Sequence, residues 1–392
     1  MNHYETMTPR ERVLKAINHQ VPDRVPIDLG GFQTGIHRMA YIPLLEHLGI
    51  EDKEVVILDP VQGLARPCEA VLQRFRVDTR YITAHGPDSF KGGIEINERD
   101  GRRWHDLKDE FGVVWSMPED APLYMDISVH PLADADLADL DQYPFPNGGD
   151  PTRFTGVREQ ALRLRKETPY ALCTGIGGVV YEYCWYLRGL EQWFMDLLEN
   201  PAFCEKLLDK ILRYWTDFYT GFMAEVGDLV DVIMIGDDLA GQRGPLFNPE
   251  IYKAIVKPRQ KALVQHIKSK TKAKIWYHTC GSCGPYIPEL IDNGVDILNP
   301  VQIGIEGMDP RELKARYGRQ ITFWGGGIDA QHVLPKATPA EVREHVRANM
   351  EAFKPGGGYV FNNVHNIQVG VPPENVVALF DAAYEFGFYT DR

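Results

Sequence analysis

Ala273-Lys-Ile-Trp-Tyr-His-Thr-Cys-Gly-Ser-Cys-Gly-Pro285, continued by Tyr286 to Asn293 and closed by Gly294, is one strand–turn–helix unit. Ala273 to Tyr277 reads as a short buried strand. His278, Thr279 and Cys280 form its carboxyl end, and the Gly/Ser/Pro turn leads into a helix that a glycine stops. His278 and Cys280 are two apart, so on extended backbone their side chains point the same way. An imidazole and a thiol on one face can serve as a metal pair. The thiol also lies just before a helix start, where the dipole favours a thiolate. The plain alternative is a buried, hydrogen-bonded histidine beside a small apolar cysteine.

The same unit recurs along the chain. Apolar runs begin at Arg24, Val77, Pro169, Val230, Val295, Gln320 and Gly358, which with Ala273 makes eight. Amphipathic stretches lie between most of them, as at Pro201 to Val226, Pro249 to Lys268, Pro310 to Tyr317 and Pro339 to Phe353. Many open with one device, a capping residue, then proline, then an acid: Thr8-Pro9-Arg10-Glu11, Asp309-Pro310-Arg311-Glu312 and Thr338-Pro339-Ala340-Glu341. Near-continuous apolar strands alternating with helices predict a parallel sheet, and eight units predict an α/β fold of the (β/α)8 TIM-barrel kind. An open doubly wound sheet is the other arrangement compatible with the pattern.

From Gly92 to about Asp150 the rhythm breaks into alternating charges and aromatics, such as Ile94-Glu-Ile-Asn-Glu98 and Phe111-Gly-Val-Val-Trp115. This predicts an antiparallel hairpin inserted after the second strand of one domain spanning residues 1–392. It could serve as a lid, a homodimer contact or a decoration.

The chain has 392 residues, 44% hydrophobic and 25% charged, enough for a large core without staples. A net charge of −13 argues against nucleic-acid or anionic-membrane partners held by bulk electrostatics. Six cysteines in this length are no disulfide framework. The opening residues have no apolar signal core and no run approaches membrane-spanning length, so a reducing, cytoplasmic setting is expected.

In a barrel of this type the strand carboxyl ends form the active face. They carry Asp237 and Asp238 with Gln242 beyond, then His278 and Cys280, then Asn299 and Gln302, then Gly325-Gly-Gly327, then Asn363 and His365; the third leads through Gly175-Ile-Gly-Gly178 to Glu182. Two histidines, a thiol and carboxylates are the ligand types of a zinc site with an open position. Each has a bland counterpart: acids cap loops, amides satisfy backbone, and glycines make tight turns as readily as they cradle phosphate.

Ile297-Leu-Asn-Pro-Val-Gln302, Phe323-Trp-Gly-Gly-Gly-Ile-Asp329 and Gly357-Gly-Tyr-Val-Phe-Asn-Asn-Val-His-Asn-Ile-Gln368, followed by Val371-Pro-Pro-Glu-Asn-Val376, resemble the uroporphyrinogen decarboxylase superfamily. Thr8-Pro9-Arg10-Glu11-Arg12 and Asp23-Arg24-Val25-Pro26 fit its start. The resemblance implies a (β/α)8 barrel with one of two chemistries. One is cofactor-free decarboxylation. The other is methyl transfer in corrinoid-dependent systems, with a zinc held by a His-x-Cys pair and a later cysteine. The arginine-rich segment by which the decarboxylases bind substrate carboxylates is replaced here by Asp28-Leu-Gly-Gly-Phe-Gln-Thr-Gly-Ile-His-Arg38, leaving Arg38 as the sole candidate. The His-x-Cys pair matches His278 and Cys280, but no cysteine follows Cys283, and the corresponding tip carries His365. Cys283, Glu182 and Asp238 are further candidates for the missing ligands.

The first expectation is therefore a zinc-dependent methyltransferase acting with a corrinoid partner protein on a small O- or S-methyl compound. In it His278, Cys280 and His365 hold the metal, Asp237 or Asp238 orients substrate or a ligand, and Gln242, Asn299, Gln302, Asn363 and Arg38 contact substrate. The alternative is a metal-free decarboxylase of a smaller carboxylated or pyrrole substrate, with Asp237 stabilising a cation and His365 relaying a proton. A third class is a barrel that carries a tetrapyrrole. Trp276, Tyr277, Trp324 and Tyr359 suggest an aromatic mouth, although alternate strand residues face the helices.

Overall fold

The computed structural model describes residues 4–52, 54–175 and 180–389. Seven strands form one parallel sheet in the order Tyr359–Val360, Thr322–Trp324, Ile297–Asn299, Lys274–His278, Val232–Gly236, Ala171–Gly175 and Thr79–Ile82. The expected first strand is reduced to a bridge. Pro26 has no N–H to give to a ladder, so among the described residues the segment makes three backbone–backbone bonds to the edges. Asp28 N–H donates to the Phe361 carbonyl at 2.9 Å and Phe361 N–H to the Pro26 carbonyl at 2.8 Å. On the other side Asp78 N–H donates to the Ile27 carbonyl at 2.8 Å. One segment thus touches both edges, and the sheet is curled as in a TIM-barrel-like fold.

The inward faces of the strands are filled. Trp276 and Trp324 stack inside at 5.0 Å between centroids, with Met234, Val232 and Cys173 in the same cluster. Val13, Ala16 and Ile17 of the first helix, Pro9–Ile17, belong to that cluster too. The expected aromatic mouth is therefore barrel core: Trp276, Tyr277, Trp324 and Tyr359 are all buried. Period-2 alternation sends Tyr277 outward, where its hydroxyl meets Gln260 and Asp237.

The capping boxes at Thr8 and Thr338 form as expected, and Asp309 accepts the N–H groups of Arg311 and Glu312. The stretch Pro249–Lys268 is not one regular helix. It takes a π-helical turn at Tyr252–Val256, just before Pro258, whose missing N–H prevents an ordinary ladder there.

Near the amino end of the sheet lies a dense ionic network. Arg12 is fully buried and reaches Asp23 at 2.7 Å and Asp78 at 2.5 Å, and Arg24 reaches Asp78 at 2.8 Å. Asp78 also accepts Ile27 N–H at 2.8 Å, which ties the proline-bearing segment to the sheet. The Thr8–Arg12 and Asp23–Pro26 motifs hold the fold, away from the strand tips.

The excursion is more elaborate than a hairpin. It is a four-stranded antiparallel sheet, Ile94–Arg99, Arg102–Lys108, Val114–Pro118 and Asp126–Val129 in sequential order. Its first turn puts Asp100 and Gly101 at φ 52° and 73°, the left-handed pair that a two-residue hairpin loop requires. Met125 N–H bonds the Val61 carbonyl at 2.9 Å, docking this sheet beside the strand tips. No helix among the described residues is long and apolar enough to cross a membrane.

Candidate metal centre and its cavity

The strand carboxyl ends open into a cavity of about 730 Å³. His278, Cys280, Asp238, Gln242, Gln302, His365 and Glu182 all line it. His278 is the last residue of its strand and pairs in register with Gly236 on one side and Asn299 on the other. A Cβ on Gly236 would sit 2.7 Å from the His278 Cβ, so only glycine leaves the imidazole its place.

Asn299 sets the ring of His278. Its amide nitrogen donates to the Trp324 carbonyl at 2.9 Å, so its oxygen faces His278 Nδ1 at 2.6 Å. Nδ1 therefore carries the proton and Nε2 is left with a lone pair, 3.3 Å from Cys280 Sγ. Two tetrahedral zinc ligands with ordinary Zn–N and Zn–S bonds stand about 3.5 Å apart. His365 completes the set: the ligand atoms of His278, Cys280 and His365 all lie within 4.8 Å of one another. These residues fit a metal of the zinc type and leave a fourth position toward the cavity.

The two imidazoles are not equally prepared. Asn366 N–H donates to His365 Nδ1 at 2.7 Å, which places the ring proton on Nε2. Ligation by Nε2 requires that proton on Nδ1 and the loss of the Asn366 bond, whereas ligation by Nδ1 replaces the bond. His278 needs no such exchange.

Burial dominates the protonation states. It pushes the Cys280 thiol well above its ordinary range, with Asp238 and Glu182 adding to the effect. It pushes His365 down to about 3, helped by His278 nearby, and lowers His278 against the opposing pull of Asp238. Glu182 is raised well above the usual carboxyl range by burial, then by Asp238 and Asp237. Neutral imidazoles and a thiol beside crowded acids are short of positive charge, and a bound divalent ion inverts that situation by favouring thiolate and carboxylate.

The other predicted residues separate. Asp238 accepts Cys280 N–H at 2.7 Å and faces the cavity. Asp237 is fully buried and points the other way. Its Oδ1 accepts the N–H groups of Val180, Tyr181 and Glu182 at 3.1, 2.7 and 2.9 Å, and its Oδ2 meets Gln260 and Tyr277. It anchors the start of helix Tyr181–Arg188, and with it Glu182, without touching the cavity. Burial raises its carboxyl to about 6. Gln302 accepts Gly281 N–H at 3.0 Å and donates to Gln242 Oε1 at 2.9 Å, so an amide pair edges the metal corner. Asn299 does not line the cavity and acts on His278. Asn363 is fully buried, and its amide donates to the His365 carbonyl, bracing that loop. Arg38 opens the helix Arg38–Leu48 and does not line the cavity.

Cys283 lies apart from the metal group, buried with its sulfur 4.0 Å from that of Met308, so Cys-Gly-Ser-Cys is not a ligand pair. The glycine triplet is no phosphate cradle: the N–H groups of Gly325 and Gly327 already bond the carbonyls of Val360 and Asn362. Of the glycine-rich stretch after Gly175, residues 176–179 lie outside the described ones. Sequence reasoning missed the walls, which are Phe32, Asp59, Trp115, Tyr124, Tyr183, Tyr186 and Asp126. Tyr183 and Tyr186 lie three apart on the helix that carries Glu182, a spacing that was readable.

Residues 108–386 match the family profile of uroporphyrinogen decarboxylase (URO-D). The chain belongs to the uroporphyrinogen decarboxylase family. Among curated family members it is similar to the uroporphyrinogen decarboxylase of Methylococcus capsulatus, 26% identical over 390 residues, or 95% of this chain and 97% of the relative. That of Ruthia magnifica is 28% identical over 258 residues, covering 64% and 70%. Among solved structures it resembles a methyltransferase from Methanosarcina mazei with a TM-score of 0.61 at 20% identity, covering 97% of this chain and 99% of that one. At that identity the likeness is one of fold. The URO-D family frame therefore holds over residues 108–386, and the chemistry has to be read from the residues of this cavity.

Proposed function

We propose that this URO-D family member is a zinc-dependent methyltransferase of a corrinoid-linked demethylation system. It would move a methyl group between a small methylated compound and a corrinoid protein or thiol. The observation that carries this is the convergence of His278, Cys280 and His365 at the floor of one cavity. When held by these three residues, zinc supplies Lewis-acid chemistry toward the heteroatom that gives up or accepts the methyl group.

The remaining work falls to the protein. Asn299 keeps the His278 tautomer that presents Nε2. The Gln242–Gln302 pair edges the metal corner and offers the amide nitrogen of Gln242 to substrate. Glu182, whose carboxyl burial and the neighbouring acids raise and whose helix the Asp237 anchor fixes, would hold a proton for a leaving oxygen or sulfur. The aromatic walls exclude water around the transfer.

Elemental analysis of protein purified without chelator tests the metal, and transfer from methylated ethers and thioethers to cob(I)alamin, followed by its visible spectrum, tests the reaction. Stoichiometric zinc and loss of transfer in His278→Ala are expected. Zinc-free protein, with transfer unchanged in that variant, overturns the proposal.

The names of the curated relatives favour decarboxylation as a second reading. Among the described residues no lysine or arginine lines the cavity, which disfavours a polycarboxylate substrate. With Asp237 turned away, that reading passes to Asp238 or Glu182 as the acid. Carbon dioxide release that survives Cys280→Ser would support it.

A further inference from the structure

We infer that the small molecule accepted by this cavity carries a positively charged group of the ammonium type. The inference rests on the cavity being the methyl-transfer site and names the class of compound that it takes.

The first observation is charge without compensation. Asp59, Asp126, Glu182 and Asp238 line the cavity. Among the described residues none of the four belongs to an ion pair, although thirty pairs link other charges of the chain. No lysine or arginine lines the cavity among those residues, and residues 176–179 are Ile-Gly-Gly-Val and bring none. A divalent ion on two neutral imidazoles and one thiolate contributes a single net positive charge, against the carboxyl groups of Asp59, Asp126 and Asp238 even with a proton on Glu182. The metal therefore does not exhaust the negative side.

The second observation is the kind of wall. Phe32, Trp115, Tyr124, Tyr183 and Tyr186 present aromatic surface to the same space. Aromatic faces with carboxylates beside them are the surroundings in which a poorly hydrated organic cation is better placed than in water. A neutral ligand of equal shape gains only the contact, and an anion is repelled.

Asp59 is also held in place. Asp59 accepts Val61 N–H at 2.9 Å and the Gln62 amide at 2.7 Å, and Gln62 in turn accepts from Asn366 at 2.8 Å. One amide therefore links Asp59 to the loop that bears His365. Tyr124 is fixed by the Gln368 amide at 2.6 Å. Asp126 is exposed at the cavity rim and makes no side-chain hydrogen bond or ion pair among the described residues, so a cationic ligand would meet it in place of water.

The test is titration calorimetry on full-length, zinc-loaded protein with two probes of one shape: choline, and its uncharged isostere 3,3-dimethylbutan-1-ol. Choline is expected to bind at least tenfold more tightly. Asp126→Asn should weaken choline about fivefold and leave the alcohol unchanged, and Trp115→Leu should weaken choline about tenfold. Equal affinity for the two probes, binding of neither, or an Asp126→Asn variant with unaltered preference overturns the inference. Zinc content, measured on the same samples, keeps the two proposals apart. A stoichiometric metal without cation preference sinks only the inference, and cation preference without metal sinks only the zinc reading.

Discussion

Two buried groups of charges sit at opposite ends of the same parallel sheet. Near the amino end, Arg12 and Arg24 face Asp23 and Asp78, and every charge has a partner within 3 Å. At the carboxyl end, Glu182, Asp238 and the Cys280 thiol crowd together, and among the described residues no lysine or arginine lines the cavity wall. The protonation states diverge accordingly. Burial pushes Asp23 up, but Arg12 outweighs it and holds the carboxyl down at about 2, whereas Glu182 and Cys280 are driven far up. A buried charge is tolerated when it is paired. The first group is complete and specifies the fold; the second has no such pairing among the described residues.

The largest effect expected from this contrast is on stability. Asp78→Ala leaves two buried guanidinium groups short of a carboxylate and should cost about 3–5 kcal/mol, read from urea unfolding. A variant of unchanged midpoint would remove the distinction between the two ends. His278→Ala should lower zinc affinity at least about a hundredfold in chelator competition while leaving the unfolding midpoint of the metal-free protein within about 1 kcal/mol. A large loss of metal-free stability would mean that the carboxyl-end group also holds the fold.

Asn299→Ala releases the tautomer and ring of His278 and should cost about 10–100-fold in zinc affinity. His365→Ala should do less than His278→Ala, because His365 must first give up its Asn366 bond. The reverse order would sharpen the picture by making His365 the anchor. The smallest effect is pH-dependent. The Asp23 carboxyl is lower in the folded chain, about 2 against an ordinary 3.8, so its contribution is fully present above pH 3.8 and fades as pH falls toward 2. That contribution is about 2 kcal/mol. The stability difference between wild type and Asp23→Asn should therefore shrink over that window.

The strand tips were legible in the sequence because a parallel sheet sends its carboxyl ends to one face. His278, Cys280, Asp238, Gln242, Gln302 and His365 reach the cavity for that reason. The choice between Asp237 and Asp238 was not legible. It depends on Gly236 facing inward opposite His278, which turns Asp237 toward the helices, and that register is a tertiary fact. The run from Arg24 counted as a full strand by its apolar pattern, but Pro26 breaks its ladder and the structure leaves only a bridge. The walls were hidden for a different reason: Trp115, Tyr124 and Asp126 come from the inserted sheet, whose placement over the tips rests on contacts such as Met125 with Val61.

That origin has an evolutionary consequence. His278, Cys280 and His365 stand on the core strands and the loops that extend them, while Trp115, Tyr124 and Asp126 ride on a self-bonded sheet at residues 94–129. Drift within the inserted sheet can reshape the cavity wall while His278, Cys280 and His365 stay untouched. Lineages sharing this barrel can therefore change what the cavity admits before they change the residues at its floor.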